Sequence, residues 1–201
     1  MTIKIYSMAY QDRSDRVRWL LEEMNVPYTD QFLNKDKGEM NSPDYRSLNP
    51  MGRVPTIVDG DIVLNESAAI CIYLADKYAY GKLAPKIEDT KLRAEYTKWM
   101  IFSTASLECV IARMFTHTST PEETKVTHDY VKAQCDIMKL ALIPILSKQD
   151  YILSSGFSAA DIMLAAVIPG AHEYLVQGNS AIEAYMKRMM EKESAVRAKV
   201  F

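Results

Sequence analysis

Two textures of apolar spacing divide the chain. Over residues 1–80 short β-like runs alternate with helical stretches, and from about residue 88 onward the spacing is helical throughout. Ile3–Tyr6 reads as a strand, and Met8–Asp12 as a turn leading into a helix over Arg13–Met24. In that helix Val17, Leu20, Leu21 and Met24 fall at i, i+3, i+4 and i+7, one apolar stripe. Asp12 suits its N-cap, Asp15 complements the positive helix end, and Asn25-Val26-Pro27 stops it. Tyr28–Leu33 is a second strand, followed by the polar stretch Asn34–Asp44 and a short helical piece to Leu48. Val54–Val58 and Ile62–Leu64 form a hairpin around Asp59-Gly60-Asp61, and a helix over Glu66–Ala79 follows, capped by Asn65.

The order β-α-β, connection, β-β-α predicts helices packed on a small mixed sheet. Tyr80-Gly81-Lys82-Leu83-Ala84-Pro85 reads as a linker. Beyond it, Asp89–Phe115 and Pro121–Leu146 are long amphipathic helices that should pair as a hairpin. Ala159–Ile168, Ala181–Met190 and Glu191–Lys199 supply shorter ones, so a helical bundle is expected. The predicted architecture is an α+β domain over residues 1–80, a linker over 81–87 and an all-α domain over 88–201.

Composition narrows the function classes. The 201 residues carry 24 Lys+Arg against 26 Asp+Glu, a formal charge of −2, which lacks the basic excess of a dedicated nucleic-acid binder. No apolar run approaches the roughly 20 residues that cross a bilayer, and the first residues lack a secretory signal, so a cytoplasmic location is expected. Three scattered cysteines (Cys71, Cys109, Cys135) make a poor disulfide framework and read as buried, inert thiols. His117, His128 and His172 show no metal-ligand spacing, and no metal is expected.

Four local motifs are more specific. Asn49-Pro50-Met51-Gly52-Arg53-Val54-Pro55-Thr56-Ile57 places a proline at a strand entry, where its missing N–H is tolerated. Glu66-Ser67-Ala68-Ala69-Ile70 sets a carboxylate and a hydroxyl on a first helical turn, which on its own reads equally well as a cap. Ser158-Ala159-Ala160-Asp161 has the form of a capping box. Tyr185-Met186-Lys187-Arg188-Met189 precedes Ser194-Ala195-Val196.

In this order and spacing the four motifs resemble the cytosolic glutathione transferase family, over essentially the whole chain. Ser194 departs from the pattern, standing where a proline is common. The resemblance implies a thioredoxin-like N-terminal domain, an all-helical second domain and a homodimer. It implies a cis Val54–Pro55 bond, with the Val54 backbone pairing to the cysteinyl unit of glutathione. Glu66 and Ser67 would hold the γ-glutamyl end with help from Arg53, and Lys37 would meet the glycyl carboxylate. Arg13 matches an arginine lining this site in some classes, or else complements Asp12 or Asp15.

The implied activity is conjugation of the glutathione thiolate to electrophilic, apolar small molecules. Such chemistry needs a hydroxyl that donates to the sulfur, because a free thiol has a pKa of about 8.5. Neither family spacing is met: counting back from Arg18 reaches Ser7, and counting back from Val17 reaches Gln11. Ser7 ranks first and Tyr10 second, ahead of Tyr6 and Ser14. The absence of a cysteine before Cys71 excludes mixed-disulfide chemistry of the omega type. Two alternatives stay open: a glutathione-binding carrier or regulatory protein, and a glutathione-dependent disulfide or peroxide reductase. Trp99, Phe102, Ser103, Ser106 and Leu107 lie on the stretch expected to meet the electrophile, although core or dimer packing is the stronger reading for any one of them.

Overall fold

A computed structural model describes residues 2–115 and 120–201; His117 lies outside the described residues. Four strands, β1 (Ile3–Ser7), β2 (Tyr28–Phe32), β3 (Thr56–Asp59) and β4 (Ile62–Asn65), are interleaved with α1 (Asp15–Met24), α2 (Pro43–Leu48) and α3 (Ser67–Ala79). After these come α4 (Thr90–Ile101), α5 (Cys109–Ile111), α6 (Pro121–Leu146), α7 (Ala159–Ala165), α8 (His172–Leu175), α9 (Ser180–Met190) and α10 (Glu193–Ala198). The chain divides into two compact units, one of Met1–Ala84 with Glu191–Phe201 and one of Pro85–Met190. The segment from Glu191 groups with the first unit although it follows the helical stretch in sequence. The reason is local: α10 lies along α1, with Ala195 and Ala198 buried and the Trp19 indole donating to Ser194 Oγ at 3.0 Å.

In the first unit the sheet order is β2-β1-β3-β4. β1 and β2 run parallel, joined by a β-α-β crossover through α1, and β3 and β4 are antiparallel to their neighbours. Ile3, Ile5 and Ile57 from the sheet are buried, as are Val17, Leu20 and Leu21 of the predicted α1 stripe and Ile70, Cys71 and Leu74 of α3. That alternation in β1 and helical spacing in α1 and α3 is the patterning that separates core from surface.

Several boundaries differ from the sequence reading. Helix α1 begins at Asp15 with Ser14 at its N-cap, because Asp12 turns its carboxylate back onto the loop instead. Asp12 accepts from the Met8 and Ala9 amides at 2.9 and 3.0 Å, and from the Ser14 amide at 2.6 Å. Helix α3 is preceded by Glu66 at a φ of 68°, which takes the boundary position expected of Asn65. β3 starts at Thr56, leaving Val54 and Pro55 ahead of it.

In the second unit the expected continuous helix over Asp89–Phe115 is broken. After α4 the backbone widens into a π-helix over Phe102–Glu108, then α5, then a 3₁₀ turn over Ala112–Phe115. Ser103 and Thr104 hydroxyls donate to the carbonyls of Trp99 and Ile101 at 2.8 and 3.3 Å. Hydroxyls that compete for helix carbonyls loosen the regular ladder, and π-turns relieve the strain. Helix α6 keeps its expected bounds, started by a capping box in which Thr120 Oγ1 accepts from the Glu123 amide at 3.2 Å. Helix α7 stops at Ala165, short of Ile168, because Pro169 lacks the N–H a continuing helix needs.

Cys71 and Cys135 are buried, with burial pushing the Cys71 thiol up to about 12. Cys109, contrary to expectation, is exposed. Among the described residues no helix is long and apolar enough to cross a membrane, and no group of three or more His, Cys, Asp and Glu side chains is arranged to hold a metal ion.

Candidate functional site

Strand register decides which loops share an edge of the first unit. Tyr6 pairs with Thr56, Thr56 with Asn65, and Ser7 with Phe32. The end of β1, the start of β3, the end of β4 and the end of β2 therefore lie along one sheet edge. From that edge leave the Met8–Asp12 loop, the Arg53–Pro55 approach to β3, the Glu66–Ser67 entry to α3 and the connection carrying Lys37. Sequence-predicted residues spread over sixty positions are thus gathered by the sheet.

The Arg53–Pro55 segment is fixed from beneath. Tyr45 is buried on α2 and donates its hydroxyl to the Arg53 carbonyl at 2.5 Å, and the Asn49 amide donates to the same carbonyl at 2.8 Å. Both side chains also bond Thr56 Oγ1, at 2.9 and 3.1 Å, which ties the segment to the first residue of β3. The turn before it needs Gly52: its φ is +60°, and a Cβ there would meet the Met40 carbonyl oxygen at 2.7 Å. The Val54–Pro55 bond is cis, Val54 is half-buried, and Arg53 is exposed.

Across the edge Glu66 is exposed and Ser67 is buried at the first turn of the thirteen-residue α3. Ser67 Oγ accepts from the Arg16 guanidinium at 3.1 Å. Arg16, itself buried, was not singled out in the sequence, since nothing local links it to a serine fifty-one positions away. Its cation and the unpaired N–H groups of a helix start favour an anion at this corner. Lys37 stands exposed on the turn after β2, its amide donating to Asn34 Oδ1 at 3.0 Å.

The two candidate hydroxyls sit in opposite environments. Ser7 is fully buried, and its hydroxyl donates to Asp30 Oδ1 at 2.5 Å. Tyr10 is 45% exposed, with its ring edge-on to Phe32 at 5.3 Å. The loop that carries it is braced by Asp12 and by Arg18, which donates to the Ala9 carbonyl at 2.8 Å. Ser14 is a third hydroxyl near this edge, buried and without a hydrogen-bond partner among the described residues.

Arg18 is the hub of the loop. It is buried and pairs with Asp30 at 2.7 Å, with Asp12 at 3.7 Å and with Asp15. Burial raises the Asp15 carboxyl to about 6 against the pull of Arg18. The sequence offered Arg18 only as a counting mark, because its three acidic partners come from a loop, a helix turn and a strand. In the second unit Trp99, Ser103 and Leu107 are buried, Phe102 is half-buried and Ser106 is exposed.

A four-stranded thioredoxin-like sheet unit joined to a mostly helical one is the glutathione transferase fold. Residues 1–76 match the family described as "Glutathione S-transferase, N-terminal domain". The chain is 31% identical over 172 residues to glutathione S-transferase hmp2 of Hypomyces subiculosus, covering 81% of this chain and 79% of that one. It is 28% identical over 200 residues to a stringent starvation protein A homolog of Pasteurella multocida (strain Pm70), covering 92% and 86%. Among solved structures, the glutathione transferase URE2P6 from Phanerochaete chrysosporium, in complex with oxidized glutathione, superposes with a TM-score of 0.83 at 22% identity, covering 100% of this chain and 98% of that one. The chain belongs to the glutathione S-transferase family.

Proposed function

We propose that this protein binds glutathione at the sheet edge of its first unit and conjugates its thiolate to electrophilic, apolar small molecules. The observation that carries the reading is the convergence of Arg53–Pro55, Glu66–Ser67 and the Met8–Asp12 loop on one edge, beside the N-terminus of α3. In this reading Glu66 accepts from the γ-glutamyl ammonium, while Ser67, held by Arg16, and the helix start receive its carboxylate. The Val54 backbone pairs with the cysteinyl unit as an added strand, Arg53 assists the γ-glutamyl end, and Lys37 meets the glycyl carboxylate.

Tyr10 is the better candidate for the hydroxyl that stabilises the thiolate. The Ser7 proton is already given to Asp30, and moving it to a sulfur would leave that carboxylate short of a donor. A hydroxyl donating to the sulfur lowers the thiol pKa and raises the nucleophile concentration. The functional protein is a cytoplasmic homodimer in this reading. Calorimetry with glutathione and turnover of 1-chloro-2,4-dinitrobenzene test it. Binding with turnover that falls in Tyr10→Phe is expected; no binding and no turnover would sink it.

A second reading is a glutathione-binding regulatory protein with little conjugating activity. The engagement of Ser7 by Asp30 and the similarity to a stringent starvation protein A homolog favour it. Tight glutathione binding with turnover at background distinguishes it from the first.

A further inference from the structure

The segment Glu191–Phe201 is anchored on the first unit by many groups. Trp19 is fully buried, bonds Ser194 and meets the Phe201 ring edge-on at 5.5 Å. Ser194 donates onward to Glu23, which also pairs with Lys192 at 3.4 Å. Arg197 donates from Nε to Glu22 Oε2 at 2.8 Å and from its other nitrogen to the Glu22 carbonyl at 3.0 Å. These contacts cover the half of α1 that lies far from the sheet edge. One contact does not follow that pattern.

Helix α10 ends on Lys199 in the left-handed region, at a φ of 56°, with the Lys199 and Val200 amides closing back on Val196 and Ala195. That turn sends the side chain toward the other end of α1. Lys199 Nζ lies 4.6 Å from the centroid of the Tyr10 ring. The same ring has the Arg18 guanidinium at 5.0 Å and Phe32 edge-on at 5.3 Å. Two cations therefore meet the Tyr10 ring, Lys199 from this segment and Arg18 from α1, and Arg18 in turn pairs with Asp12, Asp15 and Asp30.

We infer that Lys199 is a positioning residue for Tyr10, holding the ring in the orientation its hydroxyl uses at the glutathione site. This rests on the reading of Tyr10 as the thiolate donor. Without Lys199 the half-exposed ring keeps Phe32 and Arg18 but loses its clamp from the Glu191–Phe201 side. The role is specific to the charge, because arginine supplies the same attraction from a side chain of similar reach while methionine supplies only an apolar stem.

The test combines kinetics with a direct view of the ring. In Lys199→Met, kcat with 1-chloro-2,4-dinitrobenzene is expected to fall about two- to fivefold, the size of an exposed cation–π contact, with KM for glutathione unchanged. Lys199→Arg should restore kcat, and Lys199→Met should have no further effect in Tyr10→Phe. Uniform labelling of the 12 tyrosines with 3-fluorotyrosine, with Tyr10 assigned by its absence in Tyr10→Phe, should show its ¹⁹F signal moved in Lys199→Met and returned in Lys199→Arg. An unmoved signal overturns the inference, as does an equal fall of kcat in the Tyr10→Phe background. Full turnover by Tyr10→Phe itself removes the thiolate-donor reading and the inference with it, while the fluorine signal separately reports whether the contact exists.

Discussion

Replacing Asp161 by alanine isolates a buried carboxylate whose cost and benefit can both be counted. Its Oδ1 accepts from the Ile152 amide at 2.7 Å, and its Oδ2 from the Ser158 amide at 2.9 Å and the Ser158 hydroxyl at 3.1 Å. The Tyr185 hydroxyl adds a longer contact at 3.3 Å. Burial dominates these hydrogen bonds and raises the carboxyl from 3.8 to about 6. Alanine leaves two backbone amides without this partner, at about 1–3 kcal/mol each.

A raised acid pKa means the native state binds the proton more tightly than the unfolded chain. The contribution of Asp161 is therefore largest below pH 3.8 and is lost as pH rises through about 6. Between pH 7.5 and pH 5 the parent protein gains stability on the order of 1 kcal/mol, and Asp161→Ala gains none of it. Urea denaturation of both proteins at the two pH values measures it. We expect the alanine variant to be destabilised by about 2–6 kcal/mol at pH 7.5, and by about 1 kcal/mol more at pH 5. A gap that narrows on acidification would mean a lowered carboxyl pKa, and would refute the reasoning.

Arg18→Met strands three carboxylates around one loop and should cost about 3–5 kcal/mol in chemical denaturation, far more than an exposed arginine would. Glu66→Gln removes the charge offered to an ammonium group, so calorimetry should show glutathione binding weakened about tenfold or more, with the melting temperature of the free protein little changed. Thr120→Ala deletes one half of the α6 capping box and should destabilise the protein by about 1 kcal/mol, read by urea denaturation.

Elements set by local periodicity were legible in the chain. The α1 stripe from Val17 to Leu21 and the bounds of α6 follow from spacing and capping chemistry alone. What spacing could not reveal was side-chain competition. Asp12 has the sequence of a helix cap but serves the preceding loop, and the hydroxyls of Ser103 and Thr104 open a π-helix inside an apolar pattern that reads as regular. The candidate site divides the same way. Val54-Pro55 and Glu66-Ser67 are motifs legible in the chain itself, whereas Arg16 at Ser67 and Asp30 at Ser7 meet through the fold, with no trace in either neighbourhood. The same long-range bond is why Tyr10 is proposed ahead of Ser7, whose hydroxyl already donates to Asp30.

The discontinuity of the first unit bears on how the chain is made. On the ribosome, β1 to α3 emerge early and contain a complete sheet, yet the partner of Trp19 is encoded beyond Met190. Until then the indole lacks its Ser194 and Phe201 contacts, and the whole of Pro85–Met190 must be translated before the closing segment arrives. Closing so long an excursion costs only slowly growing chain entropy, but it makes the last step one of long sequence separation. The α1 face that Ser194 and Phe201 cover is thus completed only after the rest of the chain has been made, and late burial of apolar surface is what exposes folding chains to aggregation.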